Sequence, residues 1–80
     1  MLVVWQFERC CNCRRFRDVL TELCLDFVAV NAPRGHPEKD EVMRRLLETA
    51  KVPALWDTLT GQLIQGEPEC IEYVRSTYAA

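Results

Sequence analysis

"LVVWQFERCCNCRRFRDVLTELCLDFVAV", residues 2–30, contains the transition that decides the fold. It opens with a continuous apolar run, Leu2-Val3-Val4-Trp5, which reads as a strand buried on both faces. After Gln6-Phe7-Glu8 the period changes. From about Cys11 to Cys24, the residues Phe16, Val19, Leu20, Leu23 and Cys24 recur at helical spacing, with Arg14, Arg15, Arg17, Asp18 and Glu22 between them. Asp26-Phe27-Val28-Ala29-Val30 is a second β-rich run. Strand, helix and strand at this spacing form a right-handed crossover whose two strands are parallel.

The remaining segments follow in order. Asn31 to Pro37 holds two prolines and a glycine and reads as a loop. A helix begins near Pro37, whose missing N–H costs nothing in a first turn. Glu38, Asp40 and Glu41 lie early in it and Arg44 and Arg45 late, the arrangement the helix dipole favours. Met43, Leu46, Leu47 and Ala50 form its expected buried stripe. Ala54-Leu55-Trp56 and Gln62-Leu63-Ile64-Gln65, joined by "DTLTG" (57–61), read as a β-hairpin. Pro68 opens a last helix with Cys70, Ile71, Val74 and Tyr78 inward. The predicted order is β-α-β-α-β-β-α, an α/β fold with one four-stranded mixed sheet and a single domain over residues 1–80.

Composition narrows the function. Net charge is −2, which argues against a nucleic-acid footprint over the whole surface. Four of the ten basic residues nevertheless lie between Arg9 and Arg17, a patch suited to a small anionic ligand. No apolar run approaches the ~20 residues that span a membrane, and no signal peptide is recognisable. The expectation is a cytoplasmic protein with no membrane partner, in a reducing compartment where cysteine clusters are more often catalytic or metal-binding than structural. Five cysteines, an odd count, also fit poorly with a closed disulfide framework.

Cys10 and Cys13 form a C-x-x-C pair at the point where the first strand becomes a helix. The spacing alone is a weak signal; the position is stronger. The unpaired N–H groups of a helix N-terminus stabilise a thiolate, the form that attacks disulfides. Cys13 lies one turn further on, placed to close a disulfide. A metal reading needs more ligands: tetrahedral zinc usually takes four, and His36 is the only histidine. Three cysteines could still hold a thiophilic ion or, across two subunits, an iron–sulfur cluster. Cys24 and Cys70 read as core residues, Cys11 as a surface bystander, Trp5 and Trp56 as core, and Arg15, Arg17 and Arg45 as a solvated helix face.

With "CCNCRRFRDVLTELCLDF", "KVPALWDTLTGQLI" and "IEYV" in order and at matching spacing, the chain resembles the glutaredoxin branch of the thioredoxin fold. It is especially similar to the glutathione-binding N-terminal domain of glutathione transferases. The resemblance implies that Cys10 is the nucleophile and Cys13 the resolving thiol. It implies a cis peptide bond before Pro53, leaving the Val52 backbone free to pair with the cysteinyl part of glutathione as an added strand would. It also puts Gly66 and Glu67 at the γ-glutamyl end of glutathione and Lys51 near its terminal carboxylate. Gly66-Glu67 stands where the transferases carry Glu-Ser, and two further positions depart from the family pattern. Cys11 stands where proline is common, and Pro68 has no N–H to offer the γ-glutamyl group.

The function expected on this basis is a glutathione-linked thiol–disulfide oxidoreductase. It would act in electron transport with glutathione as co-substrate, no metal, disulfide-containing protein substrates, and a monomeric or weakly dimeric state. The other reading is a non-catalytic thioredoxin-fold module that binds glutathione, a metal or Fe–S cluster, or a protein partner.

Overall fold

The computed structural model describes residues 1–47 and 49–79. β1 (Leu2–Gln6) lies inside the sheet, with β2 (Phe27–Asn31) parallel on one side and β3 (Ala54–Asp57) antiparallel on the other; β4 (Gln62–Gln65) continues antiparallel from β3. The sheet order is β2-β1-β3-β4, and three helices complete the predicted sequence of elements: α1 (Cys11–Glu22), α2 (Pro37–Leu47) and α3 (Glu67–Tyr78). Among the described residues, no helix is long and apolar enough to cross a membrane.

Alternation along β1 builds two cores. Leu2 and Val4 point with Leu55 toward α1 and α3, where they meet Phe16, Val19, Leu20, Cys70 and Val74. Trp5 and Ala54 point the other way and meet Met43 and Leu47 of α2, with Ala32. The continuous apolar run of β1 is thus explained by a helix layer on each face.

Coverage by α2 is incomplete, and two expectations are corrected there. Leu46 is 52% exposed rather than buried, and Trp56 is 41% exposed rather than core. The α2 helix seats its Met43–Leu47 ridge over Trp5. It leaves Trp56 and its β4 partner Leu63 beside an open apolar groove of about 280 Å³ lined by Trp5, Leu46, Trp56 and Leu63.

A third correction concerns Cys24, which is exposed. The α1 helix ends two residues before it, and Cys24 takes a left-handed conformation, φ 56°. Its amide donates to Thr21 O (3.0 Å), and the Leu25 amide reaches back to Leu20 O (2.8 Å). This pair of bonds is the Schellman stop, normally made with glycine at the position Cys24 fills.

Candidate functional site

The site gathers at the end of the sheet where β1 delivers the chain into α1. Cys10 is the N-cap of α1, with extended backbone (φ −75°, ψ 119°), and its sulfur accepts the Cys13 amide at 3.3 Å. A thiol here does what serine or aspartate usually does at an N-cap, accepting one of the orphan donors of the first turn. Cys13 faces inward and is fully buried beneath it. Burial pushes the Cys13 thiol up to about 12, helped by a hydrogen bond from its S–H to the Cys10 sulfur and by the proximity of Cys10; the Phe7 amide and the Arg17 guanidinium oppose the rise. Burial thus favours the neutral thiol at Cys13, which lies beneath Cys10. Cys11, next in the chain, is exposed, and all five cysteines are free thiols.

Arg17, expected on a solvated face, is corrected: its side chain is only 18% exposed. It crosses back under the β1–α1 loop and donates to Gln6 Oε1 (2.5 Å), Phe7 O (3.5 Å) and Glu8 O (3.3 Å), with the Glu8 carboxylate at 3.4 Å. Gln6 is itself buried and hands a hydrogen bond on to Asn31 Oδ1 at the end of β2 (3.2 Å). The loop that presents Cys10 is thus held from three elements.

Opposite lies the segment 49–53. The Val52–Pro53 bond is cis, as the resemblance implies. The Pro53 carbonyl accepts the Gly66 amide (2.9 Å) and the buried Cys70 thiol (3.8 Å), so α3 grips the loop from behind. Burial pushes Cys70 up to about 12, with Glu69 and Cys13 adding to the effect. Gln65 holds the other side: its amide nitrogen donates to Thr49 O (2.9 Å) and Lys51 O (3.1 Å). Sequence reading missed Gln65; its place at the end of a strand gives no sign of the cross-chain bond.

Gly66 has φ 101° and ψ 147°, a conformation that essentially only glycine adopts. A Cβ there would lie 2.3 Å from Glu69 Oε2 and 3.5 Å from Lys51 Nζ, which puts the Gly66 and Lys51 side of the site together. Glu67 opens α3 and pairs with Arg15 at 2.9 Å; the same Arg15 nitrogen donates to Asn12 Oδ1 (2.9 Å) in the first turn of α1.

Two hollows meet at the mouth of the site. One, about 290 Å³, is lined by Asn12, Arg34, Asp40, Lys51 and Val52 with their neighbours. The other, about 320 Å³, is lined by Phe7, Arg9, Cys10, Cys11, Asn12 and Arg34. Asn12 and Arg34 belong to both. His36, in the loop behind, is exposed and accepts the Lys39 amide through Nδ1 (3.4 Å), a helix-capping role. Among the described residues, no group of three or more His, Cys, Asp or Glu side chains is arranged to hold a metal ion.

This geometry is that of the thioredoxin fold with a cysteine pair at the first helix. Residues 5–80 match the family described as glutathione S-transferase, N-terminal domain, and the chain belongs to that family. Compared with curated proteins, the sequence finds no match. Among solved structures it is similar to Drosophila melanogaster glutathione S-transferase isozyme E7, with 22% identity and a TM-score of 0.87, covering 99% of this chain and 35% of that one. It is also similar to a Sulfitobacter glutathione transferase homologue with bound glutathione, at 14% identity and TM-score 0.82, covering 98% and 37%. Brucella melitensis glutaredoxin is similar at 15% identity and TM-score 0.69, covering 94% and 77%. The chain thus spans little more than a third of the transferases it resembles.

Proposed function

We propose that the protein is a cytoplasmic, glutathione-linked thiol–disulfide oxidoreductase in which Cys10 is the nucleophile. The observation that carries this reading is the Cys10 sulfur itself. It caps a helix, accepts the Cys13 amide at 3.3 Å and borders an open hollow, with a second thiol beneath it. A helix N-terminus favours the anionic sulfur that attacks a disulfide. Family membership and a glutathione-bound relative support glutathione as the co-substrate.

In the first step the Cys10 thiolate attacks the glutathionyl sulfur of a mixed disulfide. A Cys10–glutathione disulfide forms, and the other half departs as a thiolate carrying the bonding pair. Val52, beside cis Pro53, offers the backbone edge along which the cysteinyl part pairs. Lys51 receives the terminal carboxylate, and Gly66 with Glu67 the γ-glutamyl end. Cys13 resolves the adduct after losing its proton, releasing glutathione and closing the Cys10–Cys13 disulfide. A second glutathione attacking the adduct is the competing exit, and the high Cys13 value keeps that exit important near neutral pH.

The test is tandem mass spectrometry after exposure of the reduced protein to oxidised glutathione. The adduct is expected on Cys10, persisting in Cys13→Ser, with turnover lost in Cys10→Ser. An adduct confined to Cys11 overturns the assignment.

A further inference from the structure

The hollow on the Arg9 side of Cys10 is left without an occupant by this reading, because Lys51 and Val52 border only the other one. Its walls are Phe7, Arg9, Cys10, Cys11, Asn12 and Arg34. Among the described residues, no carboxylate lines it. Of the chain's arginines, Arg15, Arg17, Arg45 and Arg75 are each paired with a carboxylate within 3.4 Å. Arg9 and Arg34, like Arg14 and Arg44, make no such pair among the described residues, and Glu8, the nearest acid in the chain to Arg9, turns its carboxylate to Arg17 at 3.4 Å. Two guanidinium groups without a carboxylate partner among the described residues therefore border the hollow beside Cys10.

We propose that this hollow receives the departing half of the disulfide and selects for one that carries an anion, a carboxylate or a sulfonate. The inference rests on Cys10 acting as the nucleophile on a glutathionyl sulfur. As the S–S bond breaks, its electron pair goes to the departing sulfur, and the negative charge that develops there also faces Arg9 and Arg34. Arginine suits this task, since it stays charged at any working pH and its planar fork matches carboxylate and sulfonate oxygens. The chain carries a net charge of −2, so an anionic substrate is repelled at long range and gains only near this patch. Selection then depends on the two arginines and weakens with salt.

The experiment uses three mixed disulfides of glutathione, differing only in the departing half: 2-mercaptoethanesulfonate, 2-mercaptoethanol and cysteamine. kcat/KM is measured for the wild type, Arg9→Gln, Arg34→Gln and the double variant, and each variant is compared with wild type on the same substrate. That ratio cancels the intrinsic leaving ability of each thiol. An exposed guanidinium–anion contact of ~0.2–1 kcal/mol corresponds to a loss of about 1.4- to fivefold per arginine on the sulfonate substrate. The cysteamine substrate should lose less, or gain. A loss by the same factor on all three overturns the proposal.

A second arm does not depend on glutathione. The reaction of Cys10 with 5,5′-dithiobis(2-nitrobenzoate), whose departing thiolate carries a carboxylate, is compared with that of 2,2′-dithiodipyridine, whose departing half carries none, and the modified residue is identified by tandem mass spectrometry. If no glutathione disulfide turns over, yet the double variant slows the carboxylate reagent more than the pyridyl one, the anion subsite stands and the glutathione reading falls. Absence of any such difference overturns the subsite.

Discussion

Arg17 illustrates how one side chain can set a site it never enters. Its guanidinium satisfies the buried Gln6 side chain and two loop carbonyls just ahead of Cys10. Replacing it with methionine keeps the stem but leaves the Gln6 oxygen without its donor. A buried acceptor that loses its partner costs about 1–3 kcal/mol, so Arg17→Met should lower unfolding free energy by that amount in urea titrations. Arg17→Lys should recover only part of it, because a single ammonium cannot reach oxygens spread over Gln6, Phe7 and Glu8. The Glu67–Arg15 pair differs in kind. Arg15 is 62% exposed, and such pairs contribute about 0–1 kcal/mol, so its effect is on where Glu67 sits rather than on stability. Neither role was legible in the sequence. Helical periodicity tells which residues point inward, but not which long polar chain bends back across a loop.

At the scale of elements, the end of α1 carries a correctable strain. Cys24 holds a left-handed backbone that costs a side-chain-bearing residue roughly 1–2 kcal/mol. Cys24→Gly removes that cost but adds freedom to the unfolded chain, leaving a net gain of about 1 kcal/mol. Chemical denaturation should show a higher midpoint with unchanged slope. An apolar periodicity that carried the helix through Cys24 concealed this stop, since nothing short of glycine or asparagine announces a left-handed cap. The same limit applies to α2. Met43, Leu46 and Leu47 all fit one apolar stripe, yet only Met43 and Leu47 are buried, because the helix crosses one part of a sheet whose width the sequence does not state. Where both period and neighbour were encoded, as in β1 and the front of α1, the reading and the structure agree; the β3–β4 hairpin forms as read, with only the burial of Trp56 differing.

Over the whole molecule, the antiparallel pairing of β1 with β3 sends Asp57 to the end of the sheet opposite the thiols. Asp57 is buried and accepts both tyrosine hydroxyls of α3, from Tyr73 (2.8 Å) and Tyr78 (2.5 Å), together with the Leu59 amide (3.0 Å). Burial raises its carboxyl, but the hydrogen bonds, that of Tyr78 foremost, outweigh it and hold the group below its ordinary value. A depressed carboxyl contributes stability that is complete above the unfolded value near ~3.9 and disappears as pH falls through the folded one. Tyr78 is held up to about 12, chiefly by its hydrogen bond to Asp57, so its contribution is complete below the unfolded value near ~10 and is lost as pH rises toward 12. Thermal unfolding across pH should therefore show an acid limb that flattens in Asp57→Asn and an alkaline limb that flattens in Tyr78→Phe.

The uneven cover that α2 gives the sheet has an optical consequence. Trp5 lies sealed beneath the helix, while Trp56, on the neighbouring strand of the same face, is 41% exposed. The two indoles emit from different surroundings, one blue-shifted and one red-shifted. A helix that lifts from the sheet uncovers the first and shifts its emission furthest, while the second, already part-exposed and touched by α2 only through the Leu46 side of the groove, shifts less.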